Sequence, residues 1–223
     1  MSAAMLADLP DVSAHFGRFK VEEISLRNQA LGQFEMTPML DAATLLADAR
    51  VHSICWNGTS AGWLGLERDE ALCRSITEQT GVAACSSVLA LKEIFAGTGV
   101  RRLGLVTPYL DDIQACIVAT FAKVGVVVTA ERHLNDPGNF SFSEVPETTI
   151  ALMCREVAAA EDLDAITIFC TNLKGAAIVP ALEAELGMPV YDTVATALWA
   201  SLRTAGLKPS RVVGWGRLFQ EVP

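Results

Sequence analysis

The stretch Ala165-Ile-Thr-Ile-Phe-Cys170-Thr171-Asn172-Leu173-Lys174 decides the fold. A run of β-branched and apolar residues is typical of a buried parallel strand, and this one ends at a cysteine and two small polar residues. A helical pattern over 175–186 follows, so we expect Cys170 at the carboxyl end of a strand, beside a helix N-terminus. There a small anion can meet backbone N–H groups, and the helix dipole is expected to lower the thiol pKa. A cysteine that only packs as a small hydrophobe fits the same position, so both interpretations stay open at this point.

Composition narrows the class of protein. The chain has 223 residues, of which 51% are hydrophobic and 19% charged, enough for one large domain or two small lobes. A net charge of −9 without any basic run argues against nucleic-acid binding. We expect no membrane partner, since no apolar run reaches transmembrane length and the first residues lack the basic-then-apolar order of a signal peptide. Six cysteines without paired spacing indicate reduced thiols in the cytoplasm, and three scattered histidines argue against a zinc site.

Strand patterns alternate with helix patterns along the chain. Strands are predicted over 11–19, 50–56, 82–84, 102–106, 126–131 and 165–170, and helices over 2–8, 37–48, 67–79, 111–124, 147–160 and 175–186. Two further helices are expected to follow the capping pairs Ser86-Ser87 and Asp192-Thr193. This alternation predicts βαβ units, and therefore an α/β protein with parallel sheets.

The chain also repeats itself. A turn, a helix, a short strand, a capping pair and a second helix follow one another twice, starting from Gly58-Thr59-Ser60 and from Cys170-Thr171-Asn172. We interpret the halves as two similar flavodoxin- or Rossmann-like lobes related by a pseudo-twofold axis, with the active site in the cleft between them. The first lobe would comprise 1–98 with 207–223 packing back on it, and the second 99–206. The general likeness of any two βαβ units is the alternative explanation.

The repeat carries a second prediction about the start of the first lobe. The second half opens with the strand 102–106 and a loop, whereas the first half begins directly in its first helix. By this comparison roughly fifteen residues, a strand and its loop, are missing before the first helix. Either the lobe is naturally reduced or the true start lies upstream. We expect the second, because losing a central strand exposes a sheet edge.

Four segments, in order and spread over nearly the whole chain, resemble the aspartate/glutamate racemase superfamily, in its branch of maleate cis-trans isomerases and arylmalonate decarboxylases. They are Ile54-Cys-Trp-Asn-Gly58-Thr59-Ser60, Val106-Thr-Pro-Tyr109-Leu-Asp-Asp112, Gly138-Asn139-Phe140 and Phe169-Cys170-Thr171-Asn172-Leu173. The resemblance implies the two-lobed fold and a substrate held between the lobes.

The resemblance also assigns the reacting positions. Racemases and maleate isomerases of this family place one cysteine in each lobe, and Cys170 matches the second. Gly58 aligns with the first, which is similar to arylmalonate decarboxylase, an enzyme that works with a single second-lobe cysteine. Cys55 lies three residues earlier, inside the strand, and would become the partner of Cys170 only after a register shift. The family's first-strand loop, which binds a substrate carboxylate, has no counterpart here.

The implied chemistry is the formation of a carbanion beside a carboxylate, an enediolate, without metal or organic cofactor. Such a species needs several hydrogen-bond donors, and by resemblance these are Thr59, Ser60, Tyr109, Thr171 and Asn172. Cys170 would deliver or remove the proton at carbon. Asn139 resembles a family asparagine that orients the substrate, although it also fits an ordinary turn. Trp56 and Trp63 flank the Gly58 turn, where they either shape an apolar pocket or pack in the core.

The sequence therefore predicts a cofactor-independent enzyme acting on a small carboxylate. Decarboxylation followed by protonation from Cys170 fits best, because it needs only one thiol. A maleate isomerase or an amino-acid racemase is the alternative, and a non-catalytic carboxylate-binding protein is the alternative of a different class. The partner is a small-molecule carboxylate, neither a nucleic acid nor a membrane, and the sequence leaves a homo-oligomer open.

Overall fold

Six strands form two parallel sheets in the computed structural model, which describes residues 1–21, 24, 26, 35–159 and 162–222. The strands are β1 (Ile54–Trp56), β2 (Ala84–Ser86), β3 (Arg102–Thr107), β4 (Val127–His133), β5 (Ala165–Ile168) and β6 (Val190–Asp192). The helices are α1 (Ser2–Met5), α2 (Met36–Asp48), α3 (Ala61–Leu64), α4 (Leu66–Thr80), α5 (Ser87–Thr98), α6 (Asp111–Lys123), α7 (Glu147–Ala158), α8 (Val179–Leu186), α9 (Thr193–Thr204) and α10 (Arg217–Glu221). The predicted α/β class with parallel sheets and two similar lobes is confirmed.

The sheet of the second lobe has the strand order β4-β3-β5-β6, all parallel. All four residues of β5 are buried, as are those of β3 after Arg102, because helices cover both faces of the central strands. The edge strand β4 is only half-buried. Backbone pairing continues one residue past β5, where the Phe169 N–H donates to the Val106 carbonyl at 2.8 Å. Cys170 therefore lies just beyond the carboxyl end of a central strand, as predicted.

The sheet of the first lobe consists of β1 and β2 within the described residues. Its register sets Ile54 opposite Ala84 and Trp56 opposite Ser86. Strand β1 is shorter than the predicted strand over 50–56, and β2 lies two residues further along the chain than the predicted strand over 82–84. β1 starts at Ile54 rather than at residue 50 because Arg50, two residues after the end of α2, lies in the left-handed region at φ 54°.

The strand predicted over 11–19 is wrong. Residues 12–21 are irregular and pair with no strand of the described chain. The Phe19 ring packs against Trp56 at 5.4 Å between centroids, whereas Phe16 is 64% exposed. A period-two pattern predicts one buried face, but here Ala14 and Phe16 are exposed, so the alternation of Val12, Ala14 and Phe16 corresponds to neither a strand nor a buried face.

Helices α5 and α9 pack against each other where the lobes meet, and the Thr196 hydroxyl donates to the Ser87 carbonyl at 3.0 Å. Both capping pairs act as predicted. Ser86 Oγ accepts from the Leu89 N–H at the start of α5. The Asp192 carboxylate accepts from the Val194 and Ala195 N–H groups at the start of α9. This packing fixes the ends of β1 and β5 relative to each other.

The last residues contact several elements. The Trp199 indole N–H donates to the Val222 carbonyl at 3.1 Å, and α10 packs on β6 and α9. Arg211 forms an ion pair with Asp11 near the other end of the chain. In the described part of the chain, no helix combines the length and the hydropathy that a membrane span requires.

Candidate active site

Tyr109 lies between the two predicted turns and is hydrogen-bonded to the first of them. Thr59 Oγ1 and the Tyr109 hydroxyl lie 2.6 Å apart, and the same hydroxyl acts on the Cys170 thiol, whose pKa it lowers. The exposed fractions are 5% for Thr59, 2% for Tyr109 and 3% for Cys170. Tyr109 therefore connects a hydroxyl of the first lobe to the cysteine of the second.

The Tyr109 ring is held on two sides by other aromatic rings. It meets Trp63 edge-on at 5.1 Å and Phe142 edge-on at 5.6 Å between centroids. Its backbone N–H donates to the Thr107 hydroxyl at 3.4 Å, just after β3 ends. Edge-to-face packing of this kind fixes a ring orientation and so aims the hydroxyl. Sequence reasoning missed the role of Phe142, whose only signal was an aromatic residue inside a polar loop.

Burial raises the pKa of the Cys170 thiol to about 11. Hydrogen bonds from the Tyr109 hydroxyl and from the backbone N–H groups of Asn172 and Leu173 act in the opposite direction but do not outweigh burial. The prediction that a helix dipole lowers this pKa is wrong. A 3₁₀ turn follows the cysteine loop, and α8 begins only at Val179, so no α-helix starts beside the sulfur. The thiol is protonated at neutral pH.

Gly58 leaves no room for a side chain in the first turn. A Cβ added there would lie 2.1 Å from Cζ2 of Trp56, so the indole occupies that space. The Gly58 carbonyl accepts a hydrogen bond from Ser87 Oγ at 2.5 Å, a contact that the sequence did not suggest. Cys55 stays within β1, opposite Cys85, as expected without a register shift.

Asn139 and Asn172, two of the predicted substrate-binding residues, are hydrogen-bonded to each other. The Asn172 side-chain amide donates to Asn139 Oδ1 at 2.7 Å and to its carbonyl at 3.1 Å. The Asn139 amide in turn donates to the Val21 carbonyl at 3.0 Å. Thr171 and Asn172 line a cavity of about 850 Å³, which Trp56 also borders. The cavity therefore touches the ends of both β1 and β5.

Ser60 is buried immediately before α3, where its carbonyl accepts the Trp63 and Leu64 N–H groups. Ser60 follows Thr59 directly in the sequence, and both residues are buried. The described residues contain no group of three His, Cys, Asp or Glu side chains placed to hold a metal ion. The chemistry available at this site comes from one thiol, several hydroxyls and side-chain and backbone amides.

Comparisons with known proteins agree with this geometry. A sequence model of the family described as arylmalonate decarboxylase matches residues 16–219. The arylmalonate decarboxylase of Bordetella bronchiseptica is 32% identical over 166 residues, which cover 74% of this chain and 69% of that protein. A structure of unliganded arylmalonate decarboxylase is similar with a TM-score of 0.73 and 28% identity, covering 88% of this chain and 85% of that one.

The fold is also shared with a second enzyme. A cysteine-to-serine mutant of the maleate cis-trans isomerase from Nocardia farcinica, with a covalently bound succinylcysteine intermediate, gives a TM-score of 0.88 at 23% identity. That match covers 100% of this chain and 92% of the other. At this identity the likeness concerns the two-lobed fold. The family match over 16–219 is decisive for identity: the chain belongs to the arylmalonate decarboxylase family.

Proposed function

We propose that this protein is a cofactor-independent enzyme that forms an enediolate on a small carboxylate or dicarboxylate, with Cys170 as the proton donor. The observation that carries the proposal is a single buried thiol, Cys170, with Tyr109 between it and Thr59, together with a first turn where Trp56 excludes a side chain at Gly58. Chemistry that needs two facing thiols is disfavoured by Gly58. Decarboxylation followed by protonation needs only one.

The reaction proposed is the loss of carbon dioxide from a malonate-type diacid. The electron pair of the breaking C–C bond moves into the remaining carboxylate, giving an enediolate with charge on two oxygens. Hydrogen-bond donors placed where that charge develops stabilise the transition state. Thr59, Ser60 and Tyr109 are the groups we assign to this role, with Asn139, Thr171 and Asn172 orienting the substrate from the other wall.

Protonation completes the reaction. The Cys170 S–H bond breaks, its proton goes to the substrate carbon, and the thiolate then recovers a proton from water. A thiol with a pKa of about 11 is fully protonated at neutral pH, and as a thiolate it is readily reprotonated. The Trp56 and Phe19 rings lie 5.4 Å apart and both line the cavity that Thr171 and Asn172 border, whereas Cys170, Tyr109 and Thr59 are not among its lining residues.

A maleate isomerase activity is the second candidate, favoured by the fold shared with the Nocardia farcinica enzyme. A covalent route through cysteine requires a thiolate nucleophile. Because Gly58 stands at the position of the first-lobe cysteine and Trp56 fills the space beside it, we rank this activity below proton donation. A protein that binds a carboxylate without converting it is the third outcome that the experiment distinguishes.

Proton NMR in deuterated buffer tests the proposal with phenylmalonate, methylmalonate, maleate, aspartate and glutamate. We expect loss of carbon dioxide with a deuteron at the product carbon. Cys170→Ala should lower the rate by a factor of about 10² to 10⁴, the usual contribution of a general acid. Cys116→Ala, which removes a half-buried thiol from α6, is the matched control and should leave the rate unchanged.

Other outcomes would contradict the proposal in distinct ways. Conversion of maleate to fumarate would assign the isomerase activity. Decarboxylation that survives Cys170→Ala would remove the proton-donor role. Tight binding of a dicarboxylate without turnover of any compound would indicate a binding protein.

A further inference from the structure

A pair of thiols faces each other in the first lobe, away from Cys170. The parallel register of β1 and β2 sets Cys55 directly opposite Cys85. Neighbouring strands lie about 4.8 Å apart, so facing Cα atoms fall within the separation of about 4.4–6.8 Å that disulfides adopt. Side chains at facing positions point to the same side of the sheet. The equivalent positions in the second lobe hold Thr167 and Tyr191, which makes the thiol pair specific to the first.

The two thiols have unequal acidity. The hydrogen bond between them lowers the pKa of Cys85 and, together with burial, raises the pKa of Cys55. Ser201 Oγ on α9 lies 4.0 Å from the Cys85 sulfur and gives it a second polar neighbour. By contrast, burial raises the pKa of the nearby Cys73 to about 12. One sulfur is therefore suited to react first, and the other to resolve the product.

Both thiols are reachable by small molecules. Cys55 and Cys85 are half-buried, whereas Cys154 and Cys170 are buried. Cys85 lines a cavity of about 410 Å³, far larger than a hydrogen peroxide molecule. The wall of that cavity carries the Arg203 guanidinium, which lies 4.4 Å from the Trp199 ring centroid and pairs with Glu93. Cys55 lines the separate cavity of about 850 Å³.

We propose that Cys85 and Cys55 are a modification site for peroxides, which convert the pair to a disulfide. The Cys85 thiolate attacks one peroxide oxygen, the O–O bond breaks, and the departing hydroxide takes up a proton to leave as water. The Cys85 sulfenic acid formed in this way is attacked by the Cys55 sulfur, which loses its proton as the S–S bond forms and a second water leaves. Two thiols are oxidised by two electrons, and one peroxide is reduced to two waters.

The bond would join the strands that lead into the first turn of the candidate active site. Cys55 is three residues before Gly58 in the sequence, and Cys85 is two before Ser87, whose hydroxyl holds the Gly58 carbonyl at 2.5 Å. Oxidation would therefore link β1 and β2 next to this turn and leave the Cys170 thiol unmodified. The inference rests on the strand register and holds whether or not the proposed reaction is correct.

The test is a titration of the reduced full-length chain with hydrogen peroxide, followed by alkylation and mass spectrometry. We expect two of the six thiols to disappear together, with a mass loss of two hydrogens and a peptide linkage between Cys55 and Cys85. Dithiothreitol should restore both thiols. In Cys55→Ser, dimedone should label Cys85 as a trapped sulfenic acid, and in Cys85→Ser the label at this pair should be lost. Cys116→Ser is the matched control and should still form the linkage.

Several results would overturn the proposal. The wild-type chain alone is decisive, because it needs no variant to fold. Retention of all six thiols at peroxide concentrations that oxidise free cysteine would exclude the site. A linkage involving Cys73, or direct overoxidation of Cys85 without any bond to Cys55, would exclude the pairing.

Discussion

The turns after β1 and β5 occupy equivalent places in the two lobes but carry different chemistry. Trp56 and Ile168 each end a strand, and the residues two positions further on are Gly58 and Cys170. The first turn has no side chain at this point because an indole fills the space, whereas the second carries a protonated thiol. Under the proposed function, the first turn of this repeat binds the carboxylate and the second delivers the proton.

After the loss of Cys170 itself, the largest expected effect comes from Tyr109, which lies between the two turns. Tyr109→Phe keeps the ring contacts with Trp63 and Phe142 but removes the hydroxyl between Thr59 and Cys170. Losing one oxyanion donor typically lowers kcat by a factor of about 10² to 10³. We expect that loss in kcat on the malonate substrate identified by NMR, with little change in the far-ultraviolet circular dichroism.

The other tyrosine provides the control for this measurement. Tyr191 is also buried, but it lies on β6, with its ring 6.1 Å from that of Phe95. Tyr191→Phe should leave kcat within about a factor of two, since a hydroxyl outside the cleft makes no contact with the developing charge. Equal losses in the two variants would mean that Tyr109 acts through the stability of the fold alone.

The helix caps behind the two turns differ as well, and this difference predicts a pH effect. Ser86 caps α5 with a neutral hydroxyl, whereas Asp192 caps α9 with a carboxylate whose Oδ1 accepts the Val194 N–H at 2.8 Å. Oδ2 has no hydrogen-bond partner among the described residues, and burial raises the pKa of Asp192 to about 7. The native state therefore holds this proton up to a higher pH than the unfolded chain does.

The sign of the pH effect follows from that difference. The pKa of Asp192 is higher in the native state than in the unfolded state. Its contribution to the free energy of unfolding is therefore most favourable below about pH 4 and is lost as the pH rises through about 7. Asp192→Asn keeps a cap oxygen and removes the titration. Between pH 5 and 8, the free energy of unfolding of the wild type should fall by roughly 2–3 kcal/mol more than that of the variant.

Urea denaturation at several pH values measures this difference. Burial also raises the pKa of Asp69 to about 7, but that residue is present in both proteins, so its contribution cancels. Parallel pH profiles for the wild type and Asp192→Asn would show that the carboxyl keeps an ordinary pKa in the folded protein.

The sequence was most informative where one residue type serves both local structure and chemistry. The apolar run before Cys170 predicted a buried strand, and the repeated turns predicted Gly58 and Cys170 as counterparts. Contacts between segments that are distant along the chain could not be predicted from the sequence. The bond between Thr59 and Tyr109, the ring of Phe142 and the position of Trp56 over Gly58 depend on how the lobes pack.

The direction of the Cys170 pKa was missed for the same reason. Sequence shows which groups are neighbours along the chain, and it suggested a helix dipole close to the sulfur. The degree of burial is a tertiary property, and desolvation is the larger influence on this thiol. The irregular segment 12–21 is a further case, since apolar alternation supplied neither a partner strand nor a buried face, and Phe16 is exposed.

The smallest expected effect tests whether the first turn can be made to resemble the second. Gly58→Cys alone should lower the free energy of unfolding by about 1–3 kcal/mol, because the new Cβ overlaps the Trp56 ring. Trp56→Ile installs the residue type found at the equivalent position, Ile168, and removes that overlap. Chemical denaturation of both single variants and the double variant then gives a coupling energy, expected to favour the pair by about 1–2 kcal/mol. Additive single effects would show that Trp56 moves aside without cost, and the absence of a first-lobe thiol would then need a cause other than packing.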